Sequence, residues 1–420
     1  VNFVDRSILS LLLEPIKLEL SLSDSQLGLL GGLAFAVFYT FLGIPIAALA
    51  DRRSRVKILA VSMVIWSAMT ALCGLATNFW MLLLARIGVG VGEAGASPPS
   101  HSLISDYFPI DKRATALSIY ALGIPFGTMI GSYVGGWGAD ELGWRYTFFL
   151  VGIPGIFVAM IIALTLREPP RGLSDVKPAQ SAAQKAAAEA APKPEAPQVK
   201  EVLNFLWAKV SFRHLSFAAG LHAFVSYGAS TWNAPFFTRI HSMSSTDLGA
   251  ALALVAGVGA IGTFAGGYLS DKLSDRTGDK RWYFWVPGIA TIIMVPFQLV
   301  AYLYDGTTAA IASLCMVAIM GNVYLGPSFA MTQALVSLRM RAVASAILLF
   351  VLNLIGMGLG PYFVGILSDL FAPTFGVESL RYALCIAVLV NLWAGVHYML
   401  GARSMRGDLL ETEAMNAKLV

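Results

Sequence analysis

Leu49-Ala50-Asp51-Arg52-Arg53-Ser54 closes one long apolar stretch of the chain, and Leu269-Ser270-Asp271-Lys272-Leu273-Ser274 closes another 220 residues later. A second echo follows. Gly131-Ser132-Tyr133-Val134-Gly135-Gly136, ending at Asp140, matches Gly360-Pro361-Tyr362-Phe363-Val364-Gly365, ending at Asp369, at an offset of 229. Two motifs repeated in one order at nearly one distance mark an internal duplication, which chance produces far less readily than a single motif. Each copy has room for six apolar segments. Parallel six-helix repeats facing each other across a central site are one architecture for alternating access.

Composition identifies the solvent around them. Of 420 residues 57% are hydrophobic and 13% charged, where a soluble chain carries about 25% charge. With a mean hydropathy of +0.69, the chain needs an apolar solvent outside as well as a core inside. Runs such as Val56–Leu75, Ala250–Tyr268 and Ala342–Leu367 are almost free of charge. They reach the roughly 20 residues a helix needs to cross about 30 Å of hydrocarbon. Spans are predicted at 1–19, 25–50, 55–77, 79–107, 111–139 and 145–167, then at 212–240, 246–271, 281–304, 308–337, 341–370 and 379–402. The fold expected is an all-α membrane protein, twelve transmembrane helices in two six-helix repeats around a central cavity.

The domains follow: a six-helix bundle over 1–167, a linker over 168–211, a second bundle over 212–402 and a tail over 403–420. The linker opens Glu168-Pro169-Pro170-Arg171-Gly172 and turns Ala/Lys/Glu/Pro-rich, a composition that reads as a tether. Its end, 199–210, puts Val202, Leu203, Leu206 and Val210 on one helical face beside Trp207, as in a helix lying on a membrane surface. Connections after the even spans hold Arg52, Arg53, Arg55, Lys57, Lys112, Arg113, Lys272, Arg276, Lys280, Arg281, Arg339 and Arg341, against Lys17, Arg145, Arg239 and Arg381 opposite. The positive-inside rule then makes the linker and both termini cytoplasmic, in a multi-pass protein of the inner (plasma) membrane. The chain opens on Val1 with a short first span, which reads as a missing N-terminal piece with no signal peptide visible. Cys73, Cys315 and Cys385 lie in three different apolar runs and read as packing residues.

Charges inside the spans point to chemistry. In Arg86-Ile-Gly-Val-Gly-Val-Gly-Glu93 of span four, Glu93 falls near mid-span. Arg86 lies about 10 Å further out on the same face. An unpaired charge at the bilayer centre costs about 2.5–3.5 kcal/mol or more, so Glu93 must face a cavity, take a proton or pair. Arg86 equally suits packing and pairing. In span one, Asn2-Phe3-Val4-Asp5-Arg6 puts Asp5 roughly 22 Å below the outer end if the helix is regular. The bland alternative leaves it touching cytoplasm. Sequence neighbours diverge by about 100° on a helix, so Asp5 and Arg6 must each look to another helix. The preferred contact is Arg6 with Glu93. Two carboxylates in an apolar cavity, Asp5 and Glu93, can load and release a proton as water access alternates. Gly123-Ile-Pro125-Phe-Gly127 and the glycines after it in span five read as close packing and a bend.

At the basic loops, Asp51, Arg52 and Arg55, with Asp271 and Lys272 in the second copy, read as a cytoplasmic gate in which a carboxylate at a helix end meets a cation or a helix N-terminus. Tyr227, Trp232, Asn233, Asn322, Tyr324, Gln333 and Asn353 are candidates to line the cavity, each equally able to be a helix–helix hydrogen bond.

The small residue Ala47 followed by Asp51-Arg52-Arg53 and Lys57, repeated as Gly267 with Asp271-Lys272, resembles the signature loop of the major facilitator superfamily. Ala47 and Ser54 stand where that loop usually has glycine, which implies a looser first latch. Asn2-Phe3-Val4-Asp5-Arg6 and Gly92-Glu93-Ala94 resemble the Spinster branch, relatives of sphingolipid and lysolipid transporters. The resemblance implies alternating-access transport of an amphipathic lipid, with Asp5 and Glu93 as protonation sites. Arg6, with Arg86 as the arginine the superfamily often carries in span four, would be the charge that exchanges partners. The competing expectation is a drug or small organic anion carrier of the same fold. An intramembrane enzyme is disfavoured because His101, His214, His222, His241 and His397 are scattered among segments. The partners expected are the bilayer, protons and a small amphipathic substrate, in a monomer with no nucleic acid, cofactor or metal.

Overall fold

A chain this apolar, placed in hydrocarbon, must satisfy its backbone within each segment, and helices do that. The computed structural model describes residues 1–50, 52–171, 173 and 198–417, and among them every regular element is helical. Six passes form the first half: Asn2–Leu20, Asp24–Ala50, Arg55–Cys73, Phe79–Tyr107, then Ile110–Ala121 continued by Gly123–Glu141, and Gly143–Thr165. The second half runs Val210–His241, Ser245–Thr277, Trp282–Leu303, Thr307–Ala334, then Arg341–Val351 through Leu352–Leu359 to Gly360–Phe375, and finally Ser379–Ala417. These are spans one to twelve. Nine described stretches are long and apolar enough to cross a membrane, and one of them, Arg341–Ala414, contains the last two spans. It folds back at Gly376, whose φ of +54° suits a residue without a Cβ. Spans one and seven carry more polar side chains and complete the twelve.

Several departures from regular helix are paired between the halves. Span four breaks after Glu93, over Ala94–Ala96, and span ten breaks over Asn322–Tyr324. Spans two and eleven each contain a π-helical turn, Leu29–Leu33 and Leu352–Leu359. A π-turn frees backbone groups from the usual ladder. Span eight runs on to Thr277, where Gly278 closes it in the left-handed conformation. Asp271 and Lys272 therefore lie within a helix, whereas span two ends at Ala50 and Ser54 starts the next helix by accepting from the Lys57 amide. The two basic motifs are alike in sequence but not in local structure.

The segment over 403–417, expected as a tail, continues span twelve as helix. Asp408 accepts from the Ser211 amide and hydroxyl at 2.8 and 2.5 Å, and Glu411 pairs with the buried Lys209 at 2.6 Å. Of the linker, 172 and 174–197 lie outside the described residues. Val199–Ala208 is a helix that breaks at Lys209 before span seven begins. Its apolar residues divide: Val202 and Leu206 are fully buried against the second half, while Leu203 and Trp207 point outward.

The halves meet most closely at the end that carries Asp24, Asp140 and Arg239. Span five crosses span eight there so tightly that a Cβ on Gly136 would stand 2.2 Å from the Ser245 carbonyl oxygen. Span two crosses span eleven likewise, with 2.3 Å from a Cβ on Gly365 to the Asp24 carbonyl oxygen. Arg239 of span seven grips Asp24 at 2.7 Å and Glu14 at 2.8 Å, and Asp24 also accepts from Lys17 and Ser368. This acidic end is shut. At the basic end Arg52 and Lys272 are exposed on their separate halves.

Candidate functional site

The site is built from span one outward. Arg6 reaches across to span four, where its Nε and Nη2 donate to one Glu93 oxygen, Oε2, at 2.7 and 2.6 Å. Asn2 approaches the same oxygen at 3.5 Å. The expected contact between these charges is present. Glu93 is completely buried at its side chain while Arg6 keeps 19% exposure, so the pair sits at the wall of a space, the carboxylate behind the cation. Because helix one puts Asp5 about 100° round from Arg6, it turns into the first half instead. It is fully buried, with no salt bridge among the described residues and the Trp66 indole as its polar neighbour. The other Glu93 oxygen, Oε1, is buried without a hydrogen-bond partner among the described residues.

Two residues that sequence reading missed hold the cation. Phe35 and Tyr39, four apart on span two, stack with ring centroids 5.4 Å apart. The Arg6 guanidinium lies over both rings, at 4.6 and 4.8 Å. A cation over such faces gains about 0.5–2 kcal/mol, more where water is excluded. The usable signal was an aromatic pair at i, i+4 in a span with few other polar groups. Arg6 Nη1 also reaches Met357 Sδ in the π-turn of span eleven, at 4.0 Å, so the cation touches both halves. Arg86 is buried 5.4 Å above the outer side of the same Phe35 ring, and its Nε donates to the Leu30 carbonyl inside the π-turn of span two, at 3.4 Å. It is a buried packing cation in this conformation.

The cavity candidates separate. Tyr227 of span seven keeps 37% exposure and lies within electrostatic reach of Arg6 and Tyr39. Tyr324 is almost buried and its ring lies 4.2 Å from His222. Asn322 is exposed and ties down the helix break through the Gly259 and Ala318 carbonyls. Gln333 donates to Ser345, and Asn353 is buried. Trp232 and Asn233 lie in helix contacts instead. The indole donates to the Pro361 carbonyl at 2.8 Å, and the amide accepts from the Tyr302 hydroxyl at 2.9 Å. Both bonds lie inside the second half. Of the histidines, His214 and His397 come together with ring nitrogens 2.9 Å apart, with no third metal ligand among the described residues.

At the basic end Asp51 lies outside the described residues and Arg52 is exposed. Arg55 is 1% exposed and pairs with Asp106 and Glu168, and it also donates to the Ser102 hydroxyl and the Pro169 carbonyl. Glu168, the first residue of the expected tether, accepts from the Val56 amide and Ser54 as well. Burial alone would raise its carboxyl, but the Val56 amide, Arg55 and Ser54 hold it below the ordinary value. These contacts stay within the first half. In the second, Asp271 accepts from Tyr283, and Lys272 sits over the Tyr268 ring at 5.2 Å. Arg55→Ala should lower the folding stability by about 3 kcal/mol, since it takes a buried guanidinium shared by two carboxylates, read as a fall in the melting temperature of the purified protein. An unchanged melting temperature would show that the cluster carries no weight.

Comparison with known proteins agrees with this architecture. The family model described as Major Facilitator Superfamily matches residues 1–361. A bacterial homolog to the human lysosomal transporter Spinster, solved in an inward-facing and unoccupied conformation, superposes with a TM-score of 0.87 at 36% identity, covering 97% of this chain and 95% of that one. An "MFS-type efflux pump" of Mycolicibacterium smegmatis is 32% identical over 98% of this chain and 92% of its own length. A "Probable sphingolipid transporter spinster homolog 1" of Arabidopsis thaliana is 27% identical over 70% of this chain and 62% of its own.

Proposed function

The chain belongs to the major facilitator superfamily, and from that premise we propose that it is a proton-linked secondary transporter of amphipathic, lysolipid-like or sphingolipid-like molecules, working by alternating access. One observation carries the reading. Glu93 is buried and ion-paired to Arg6, whose guanidinium touches both halves, while Asp5 beside it is fully buried with no salt bridge among the described residues. Two carboxylates buried side by side in a span, one of them held by a cation that touches both halves, form a device for exchanging a proton as water access alternates. When Glu93 takes the proton, Arg6 is released on its aromatic seat with Tyr227 facing it, and can hold an anionic or zwitterionic headgroup. Losing the proton draws Arg6 back and expels the headgroup. Asp51, Arg52 and Arg55 would serve the basic end as its gate, and that end, with the linker and both termini, would face the cytoplasm.

The lipid-like cargo is supported by the sphingolipid transporter relative and by the large apolar side chains exposed along spans five and eight, Phe126, Ile130, Ile261 and Phe264. The efflux-pump relative favours a second reading, in which drugs or small organic anions are moved by the same switch. Uptake into proteoliposomes, with a panel of lysolipids and drugs and with or without a pH gradient, separates the two. Lysolipid uptake that rises with the gradient is expected, and that response should vanish in Asp5→Asn. Gradient-independent uptake by the wild type would end the coupling proposal, and drug transport without lysolipid transport would end the lipid one.

A further inference from the structure

The acidic end is shut by two parts that the duplication relates to each other. Asp369 of span eleven accepts from the Asp24 amide at 2.9 Å and the Ser25 amide at 2.7 Å, at the start of span two. Asp140 of span five accepts from the Ser245 amide at 3.3 Å and the Thr246 amide at 2.7 Å, at the start of span eight. In each case one carboxylate crosses to the other half and takes the first two amides of a helix. Those amides have no partner within their own helix, and the positive end of the helix dipole favours the carboxylate. Ser23 and Ser244 cap the two helices by accepting from the third amide, that of Gln26 or Asp247. Sequence offsets agree throughout: Asp140 to Asp369 is 229, and Ser23 to Ser244 is 221. The glycine crossings at Gly136 and Gly365 are copies of one another as well.

One difference between the copies changes the charge at the seam itself. Where the first has Asp24, the second has Ser245. Asp24 draws in Arg239, Lys17 and Ser368, and Arg239 adds Glu14, so the seam of spans two and eleven has an ion network besides its capping carboxylate. The seam of spans five and eight has hydroxyls instead of ions at this place: Thr246 donates to Asp140 at 2.8 Å, with Ser245 beside it, and no salt bridge joins them among the described residues.

We infer that Asp140 and Asp369 are twin locks of the acidic end, each a carboxylate of one half capping a helix of the other, and that the Asp140 seam is the weaker and yields first when this end opens. The inference rests on alternating access but not on the cargo or the proton. It gives duplicated aspartates a role in setting which conformation predominates.

Spin labels at Thr77→Cys and Tyr304→Cys, both exposed at the acidic end on opposite halves, report the separation there in the full chain once Cys73, Cys315 and Cys385 are replaced by alanine. Pulsed dipolar spectroscopy of reconstituted protein should give one short-distance population in the parent. Asp140→Ala should raise the ratio of open to shut about tenfold, as expected for losing charge-assisted bonds. Asp369→Ala alone should raise it less, and the double variant should be mostly open. A second label pair at Lys112→Cys and Arg276→Cys, exposed at the basic end on opposite halves, should shorten in the same variants, which a misfolded protein would not do. Equal distributions in parent and double variant would overturn the locks, and a larger effect of Asp369→Ala would overturn the order of opening. If pH moves the parent's distances while the variants do nothing, alternating access stands and the locks fall. Distances fixed under every condition would remove both.

Discussion

Glu93→Gln should leave a protein that folds, binds and exchanges cargo but no longer accumulates it. At one proton per cargo, a gradient of one pH unit can sustain up to about a tenfold cargo ratio across the membrane, since one unit is worth about 1.4 kcal/mol. Glutamine keeps the shape of the side chain and can still accept from Arg6, but it has no proton to exchange. Proteoliposomes carrying the variant should therefore reach an equal concentration on both sides and stop, while counterflow of labelled cargo continues. Glu93 is buried behind Arg6, and among the described residues no other basic group is bonded to it at that distance. A variant that still builds a tenfold ratio would move the proton site elsewhere, with Asp5 the next residue to test.

Arg6→Ala should be the more damaging change. It takes from a fully buried carboxylate its one ion-pair partner among the described residues, and breaking such a pair from one side costs about 3–5 kcal/mol. It also empties the seat formed by Phe35 and Tyr39 and the contact with Met357. Transport should be lost and the melting temperature should fall clearly. The double variant Arg6→Ala with Glu93→Gln should regain most of the stability, because the neutral amide needs no counter-charge, but none of the transport. If the double variant is as unstable as Arg6→Ala alone, the loss comes from packing of the guanidinium on its rings and not from the stranded charge.

Much of this was legible before any coordinates. Length and charge-poverty gave the spans, and the duplicated motifs gave the two halves, because both depend only on how much apolar surface a helix offers and in what order. Depth along a helix gave the meeting of Arg6 and Glu93. The helix breaks after Glu93 and at Asn322 were not foreseen, because glycine and proline in a span signal tolerance of a break without fixing its place. Trp232 and Asn233 were legible only as polar groups in need of a partner, because polarity inside a span does not say whether that partner is a ligand or a neighbouring helix. Asp140 and Asp369 were noticed only as the ends of a repeat. Their partners are backbone amides, which have no sequence signature. Tyr39 escaped for the opposite reason, since an aromatic ring in an apolar helix is unremarkable until a cation rests on it.

Span twelve is 39 residues long, about 58 Å at 1.5 Å per residue, nearly twice the thickness of a hydrocarbon layer. Its last turns are clamped to the second half by Asp408 and Glu411, and Thr412 donates to the Leu335 carbonyl. The projecting part is thus a lever fixed to one rocking body. If that body pivots by about 10°, the far tip sweeps roughly 10 Å, a magnification that leaves the cargo chamber untouched. A fluorophore there would act as a pointer on a dial, reading each stroke from outside the machine.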